Sequence, residues 1–305
     1  MRFLYCGELN RTPDAPDHLG IRQGLQWLGW EHKIVDPILN SHEEMIQQIC
    51  EFQPDVIVHG NTDSLDREIM RKIKENTSAK QVFWMLDYRP ENVEPLYDGV
   101  FDKWSQAKGY LDAVFISNYD QIDLWSKAFG CPAYFLPHGC YVPDKLIYDE
   151  VEKHDCLFTG SYHDSGWMAE RYHLLQEIGG YTHITEDSVE GRNQIWLRIP
   201  ALYHSSNCVL DVSHSWRAKG YCSGRYWYIA GLGGCSITKR FPECEKFYKD
   251  KKEKLYFDTV PEAQKLIELC QKDEKIREEV KVNAFERNKK SHNYKVRFTE
   301  LVNKL

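Results

Sequence analysis

Several things are missing from this sequence, and each absence narrows what it can be. No stretch approaches the roughly 20 consecutive apolar residues of a membrane span. Met1 to Asn10 enters a β-like run at once, without the long apolar region of a signal peptide, so a cytoplasmic protein is expected. The ten cysteines are scattered and form no C-x-x-C pair. Cys131 and Cys140, like Cys235 and Cys244, have no histidine at ligand spacing, so reduced, buried thiols are expected rather than a zinc site. There is no D-x-D triplet, so nothing in the chain requires a bound divalent ion, and no metal site is expected. The net charge of −7 gives no general affinity for phosphate backbones.

What is present is a chain of 305 residues, long enough for two domains of ordinary size. Nine Trp and eighteen Tyr can fill a core and line a ligand site. Short apolar runs alternate with helical patterns: 2–6, 32–35, 55–59, 81–86, 113–117 and 133–136, then 156–159, 181–185, 208–212, 235–238 and 254–257. Ser41 followed by Glu44 is a capping box. A helix is expected to start only near Ile199, beside Pro200. Apolar runs of this length separated by helices argue for βαβ units and parallel sheets. Pro137-His138-Gly139 ends the first series. The fold class expected is α/β, with two Rossmann-like domains in tandem over residues 1–140 and 141–289.

Ligands of open parallel sheets bind beyond the C-terminal ends of the strands, so a cleft between two such domains is expected to be lined by the polar groups that follow each run. These include His18, His59 to Asn61 and Asp87 to Arg89 in the first half. In the second they include Gly160-Ser161, Glu186 and the loop from His214 to Arg225. The richest stretch is KGYCSGRYWYIAGLGGCSITKRFPE, Lys219 to Glu243. A small, cationic loop runs into a helix there, and the first amides of a helix lack internal partners and attract anions. Lys219 and Arg225 could add the charge that a diphosphate needs. The plainer reading is a helix that happens to start near two basic residues.

Taken in order, several segments resemble GT-B glycosyltransferases, most closely the group that includes CgeB-like spore-maturation proteins. QPDVIVHG resembles the family's third strand, and AVFISNYDQIDLWSKAFGCPAYFLPHGCYVP its passage into the hinge. LFTGS resembles the opening of the nucleotide-binding domain, GYCSGRYWYIAGLGG the G-x-x-S-x-R-x-F-E donor motif, and SHNYKVRFTELVNKL the closing helix. The resemblance implies a nucleotide-sugar donor as co-substrate, no required cofactor, and a C-terminal segment (290–305) returning to the first domain. It places Ser223 and Arg225 at the donor diphosphate with Lys219 nearby, and Gly160 and Ser161 close to the nucleotide. The motif's acidic residue, which holds the ribose in many relatives, falls at Tyr228, and a phenol cannot supply a carboxylate's two acceptors. Glu243 is the candidate replacement.

Glycosyl transfer must stabilise a departing diphosphate, which fixed cations and helix amides can do without metal. An inverting reaction also needs a base. Asp87 is the first candidate, with a cap or a salt bridge to Arg89 as the plainer role, and His18 the second, with a solvated loop histidine as the plainer role. His214, Trp216 and Arg217 are as consistent with loop packing as with holding sugar or phosphate. The acceptor is a hydroxyl of unknown identity, a nucleic-acid base included. The rival functions are a nucleotide-sugar epimerase or hydrolase of the same fold, and a non-catalytic nucleotide-sugar binder.

Overall fold

The computed structural model describes residues 1–60, 65–87, 107–146, 148, 152–161, 163–185 and 192–305. Asn61, Arg89 and Glu186, singled out above, lie outside them. The chain divides into two compact units, one of Met1–Pro13, Arg22–Pro137 and Arg297–Leu305, the other of Asp14–Ile21 and His138–Val296.

The first unit is built on strands β1 (Arg2–Cys6), β2 (Glu31–Val35), β3 (Val56–Gly60), β4 (Lys80–Met85), β5 (Ala113–Ile116) and β6 (Ala133–Phe135). They pair in the order β2-β1-β3-β4-β5-β6, parallel throughout. The inner strands β3 and β5 are buried along their whole length, as strands covered on both faces must be, whereas β2 carries its charges at the edge. Helices α1 (Pro16–Leu28), α2 (His42–Phe52), α3 (Arg67–Asn76) and α4 (Ile122–Phe129) connect them. Met45, Ile49, Ile69 and Ile73 of α2 and α3 close over Leu4, Val35 and Ile57. Trp125 and Phe129 of α4 pack with Phe83, Val114 and Ile116. The capping box at α2 is present as expected: the Glu44 backbone N–H donates to Ser41 Oγ, and the Ser41 N–H donates to Glu44 Oε2 at 2.8 Å.

The second unit contains β7 (Leu157–Thr159), α5 (Ala169–Ile178), β8 (Thr182–Ile184), α6 (Arg192–Ser205), β9 (Val209–Asp211), α7 (Gly224–Gly231), β10 (Ser236–Lys239), β11 (Leu255–Phe257), α8 (Val260–Lys272) and α9 (Glu274–Ser291). Its strands are parallel in the order β11-β10-β9-β7-β8. Helix α6 corrects the expectation of a start near Ile199, because it begins at Arg192 and runs through Pro200. Buried Ile195, Ile199 and Leu202 form one apolar stripe, and packing of that stripe outweighs the single backbone hydrogen bond that proline forfeits. The last helix, α10 (Tyr294–Val302), carries Phe298, which is fully buried against Phe3, Tyr5 and Trp84 of the first unit's sheet. All ten cysteines carry free thiols and eight of them are buried.

Candidate functional site

Strand order in the second unit puts β9 between β7 and β10, so the segments that follow these strands meet at one end of the sheet. Helix α7 is entered through Ser223, whose extended backbone (φ −65°, ψ 161°) is that of an N-cap. Its N–H donates to Ser213 Oγ at 2.9 Å, while its own Oγ is buried, caps nothing and has no hydrogen-bond partner. Tyr226 and Trp227 anchor the helix from below, packing against Phe247 and Tyr248.

Arg225 folds back over the sheet. Its Nη1 donates to the Thr159 carbonyl at 2.6 Å and its Nη2 to the Val212 carbonyl at 2.9 Å. Its Nε lies 3.5 Å from Asp211 Oδ1, and the guanidinium sits 4.8 Å from the Phe158 ring centroid. The side chain thus ties the end of β7 to the end of β9. Gly160 makes this possible, because its φ is +120° and a Cβ there would run into the guanidinium.

A second arginine approaches from α5. Arg171 is almost wholly buried, and its Nη2 donates to the Ser161 carbonyl. Burial first, and then the charge of Arg225, push its proton affinity down, although a guanidinium keeps its charge in proteins. His183 on β8 donates from Nε2 to the Gly160 carbonyl at 2.8 Å. Burial, with the two arginines adding to it, lowers its pKa and keeps it neutral at pH 7. Asp211 is 1% exposed and is the carboxylate that pairs with Arg225.

Of the residues named from sequence, Gly160, Ser161, Ser223 and Arg225 meet here. The others have different surroundings. The Lys219 ammonium lies 3.3 Å from Glu243, which also pairs with Lys246. The Lys246 hydrogen bond, ahead of the contribution of Lys219, holds the Glu243 carboxyl below its usual range. Arg217 is largely exposed and pairs with Glu170, and His214 packs edge-on against Tyr221. Tyr228 is buried, its phenol lying where a Cβ on Gly224 would be. His18 is in the first turn of α1, 3.9 Å from Asp17, and belongs to the second unit. Asp87 follows β4 in the first unit. A cavity of about 500 Å³ beside the Lys219–Glu243 pair is lined by Trp216, Arg217, Arg240, Phe241, Glu243 and Asp258, a volume within the range of small-molecule sites. Arg171, His183 and Asp211 were not picked out from sequence. The available signal for Arg171 was an arginine in the first turn of the helix after the glycine turn.

The model of the glycosyl transferase-like family matches residues 148–303, more than half of the chain and the whole of this site. The chain belongs to that family. No curated protein matches it. Among solved structures it is similar to Anabaena HepE in complex with UDP and glucose, with 11% identity, both chains covered completely and a TM-score of 0.59. It is similar to an E. coli trehalose-6-phosphate structure bound with UDP-2-fluoro glucose, at 10% identity, 100% and 98% coverage and a TM-score of 0.59. Sucrose-phosphate synthase from Thermosynechococcus elongatus gives 9% identity, 100% and 99% coverage and a TM-score of 0.57. At such identities the likeness is one of fold, and that fold is GT-B.

This glycosyltransferase is therefore an enzyme with two Rossmann-like units. Among the described residues no helix is long and apolar enough to cross a membrane. Nor, among them, is any group of three His, Cys, Asp or Glu placed to hold a metal ion.

Proposed function

We propose that the second unit binds the diphosphate of a nucleotide-sugar donor and that the enzyme transfers the sugar to a hydroxyl acceptor without a metal. One observation supports this reading above the others. Arg171 and Arg225 straddle Gly160 at the mouth of α7, and among the described residues Asp211 is the carboxylate that pairs with Arg225. Arg171, which is buried, and Arg225, whose side chain is 10% exposed, carry more positive charge than Asp211 offsets, which is costly unless an anion is bound. A diphosphate held by two fixed forks and by helix-end amides would have its developing charge met as the sugar leaves. The bound UDP of HepE and the UDP-2-fluoro glucose of the E. coli structure make a uridine diphosphate the first donor to try.

Roles follow for the remaining residues. Ser223 Oγ is available to the diphosphate, and Gly160 and Ser161 border it. Glu243 lines the cavity and is paired with Lys219, and it stands in for the ribose-holding carboxylate that Tyr228 replaces. His214 and Arg217 shape the same loop. Asp87 serves as base if the reaction inverts, with His18 the second candidate.

The direct test is calorimetry with UDP, GDP, ADP and CDP. One of them binds the wild type, and Arg225→Ala weakens it by on the order of a hundredfold, the loss of a charge-assisted pair. Equal binding by Arg225→Ala refutes the donor assignment. Asp87→Asn distinguishes the base: loss of transfer with donor affinity unchanged supports it.

A further inference from the structure

Lys254, immediately before β11, is a charged side chain with no exposed surface, and none of the chemistry above uses it. Its Nζ donates to Ser236 Oγ at 3.1 Å. Ser236 Oγ is 2.8 Å from Thr238 Oγ1, and Thr238 Oγ1 donates to Asp211 Oδ2 at 3.4 Å. The other oxygen of Asp211 faces Arg225 Nε. Because the single hydroxyl proton of Thr238 goes to Asp211, Ser236 must donate to Thr238, so the donors run from ammonium to serine to threonine to carboxylate. The chain crosses three neighbouring strands, β11, β10 and β9, and ends on the residue that pairs with the arginine assigned to the diphosphate.

We propose that Lys254 is a positioning residue for donor binding, whose ammonium draws on Asp211 through Ser236 and Thr238 and so loosens the hold of Asp211 on Arg225. The inference rests on the donor reading above. Physically, Asp211 is one buried carboxylate facing cations on both sides. When Lys254 is charged, Asp211 is shared and offsets less of the Arg225 charge, which is then available to an anion. When Lys254 is neutral, Asp211 binds Arg225 alone and the positive potential at the mouth of α7 falls.

The surroundings of Lys254 favour titration in an accessible range. Its ammonium lies over the rings of Tyr226 and Tyr248, at 4.1 and 5.0 Å, and complete burial pushes its pKa down to about 8, with Asp211 the first opposing influence. Besides Asp211 and these two tyrosines, the titratable groups near it include Cys222, Cys235, Cys244 and Tyr256. Burial raises the Cys244 thiol and the Tyr226 and Tyr256 phenols, while the thiol partner Cys270 and burial raise Cys235, so Cys235, Cys244, Tyr226 and Tyr256 stay protonated where Lys254 titrates. On the far side of Asp211, Arg171 keeps its charge and His183 is already neutral.

The test has a ligand-free arm and a ligand arm. In the first, the Arg225 Nε–H resonance, assigned with Arg225→Lys, is followed from pH 7 to 9.5. It shifts with a midpoint near 8 in the wild type and stays flat in Lys254→Met and in Thr238→Val, which keeps the ammonium and cuts the chain. A flat wild-type curve overturns the inference whatever the nucleotide result. In the second arm, UDP affinity weakens on the order of fivefold between pH 7 and 9 in the wild type. Lys254→Met binds at both pH values with the weaker affinity, and Lys254→Arg, which cannot lose its charge, binds at both with the tighter one. A pH profile that persists in Lys254→Met overturns the inference while leaving the donor site standing. Absence of any nucleotide binding removes the donor reading, and the resonance of Arg225 then still decides whether Lys254 controls it.

Discussion

A single methyl group at Gly160 meets both a forbidden backbone region and the guanidinium of Arg225. Gly160→Ala is expected to cost about 1–3 kcal/mol of stability from strain at its φ of +120°. It also displaces the Arg225 clip on Thr159, so nucleotide affinity falls with it. Melting curves and calorimetry check the two effects, and an alanine variant unchanged in both contradicts the packing described. Arg171 gives a contrasting case. Arg171→Lys keeps the charge and loses the planar fork, so donor binding weakens by roughly tenfold without unfolding the protein. Calorimetry on the folded variant settles it. Arg225 stood out in the sequence because it follows directly on a glycine- and serine-rich loop. Arg171 did not, because one arginine in a helix next to Glu170 reads as a solvated face. Only the closure of α5 onto the end of β7 buries it.

At the level of elements, local chemistry was legible where it acts over three or four residues. Ser41 and Glu44 could be identified as a cap because both partners are near neighbours in the chain. Ser41→Ala should lower stability by about 1 kcal/mol, a shift of roughly 2 °C in Tm for a chain of this size, and leave nucleotide binding untouched. Differential scanning calorimetry checks this, and a larger loss would mean that the cap supports more than α2. Strand positions were legible because fully apolar runs between helices are what a sheet covered on both faces requires. Helix α6 was read too short, since proline signals a break locally and the contacts of Ile195, Ile199 and Leu202 that override it are tertiary. Lys254 was legible only as the first residue of the run 254–257, since a lysine at the head of a short strand looks like an edge charge.

Two consequences belong to the whole molecule. The chain ends where it began, with Phe298 of α10 buried on Phe3 and Trp84, so Phe298→Ala should cost about 3–5 kcal/mol through a cavity in the first unit's core. Denaturant titration checks that, and a loss below 1 kcal/mol would place α10 elsewhere. The second consequence concerns acid. His59 is fully buried on β3, with Nε2 3.3 Å from Gln81 Oε1, and burial lowers its pKa to about 4. An unfolded histidine binds its proton near 6.5, so between those values the unfolded state holds more protons and stability drops as pH falls, by up to about 3 kcal/mol. Going from pH 7 to 4.5, the wild type should therefore lose more stability than His59→Gln. Equal losses would show that another group titrates.

The sequence by itself determined the alternation of apolar runs and helices, hence two parallel sheets, and the ordered segments that mark a glycosyltransferase. Those signals are local, carried by periodicity, capping and short motifs. Only the tertiary structure decided which charges meet. Strand neighbours are set by crossovers and not by order along the chain, and the order β11-β10-β9-β7 aligns Lys254, Ser236, Thr238, Asp211 and Arg225 from segments up to 43 residues apart (254 minus 211). Burial then gives those few charges their leverage, because in a low-dielectric interior each must find its partner in the fold or in a ligand.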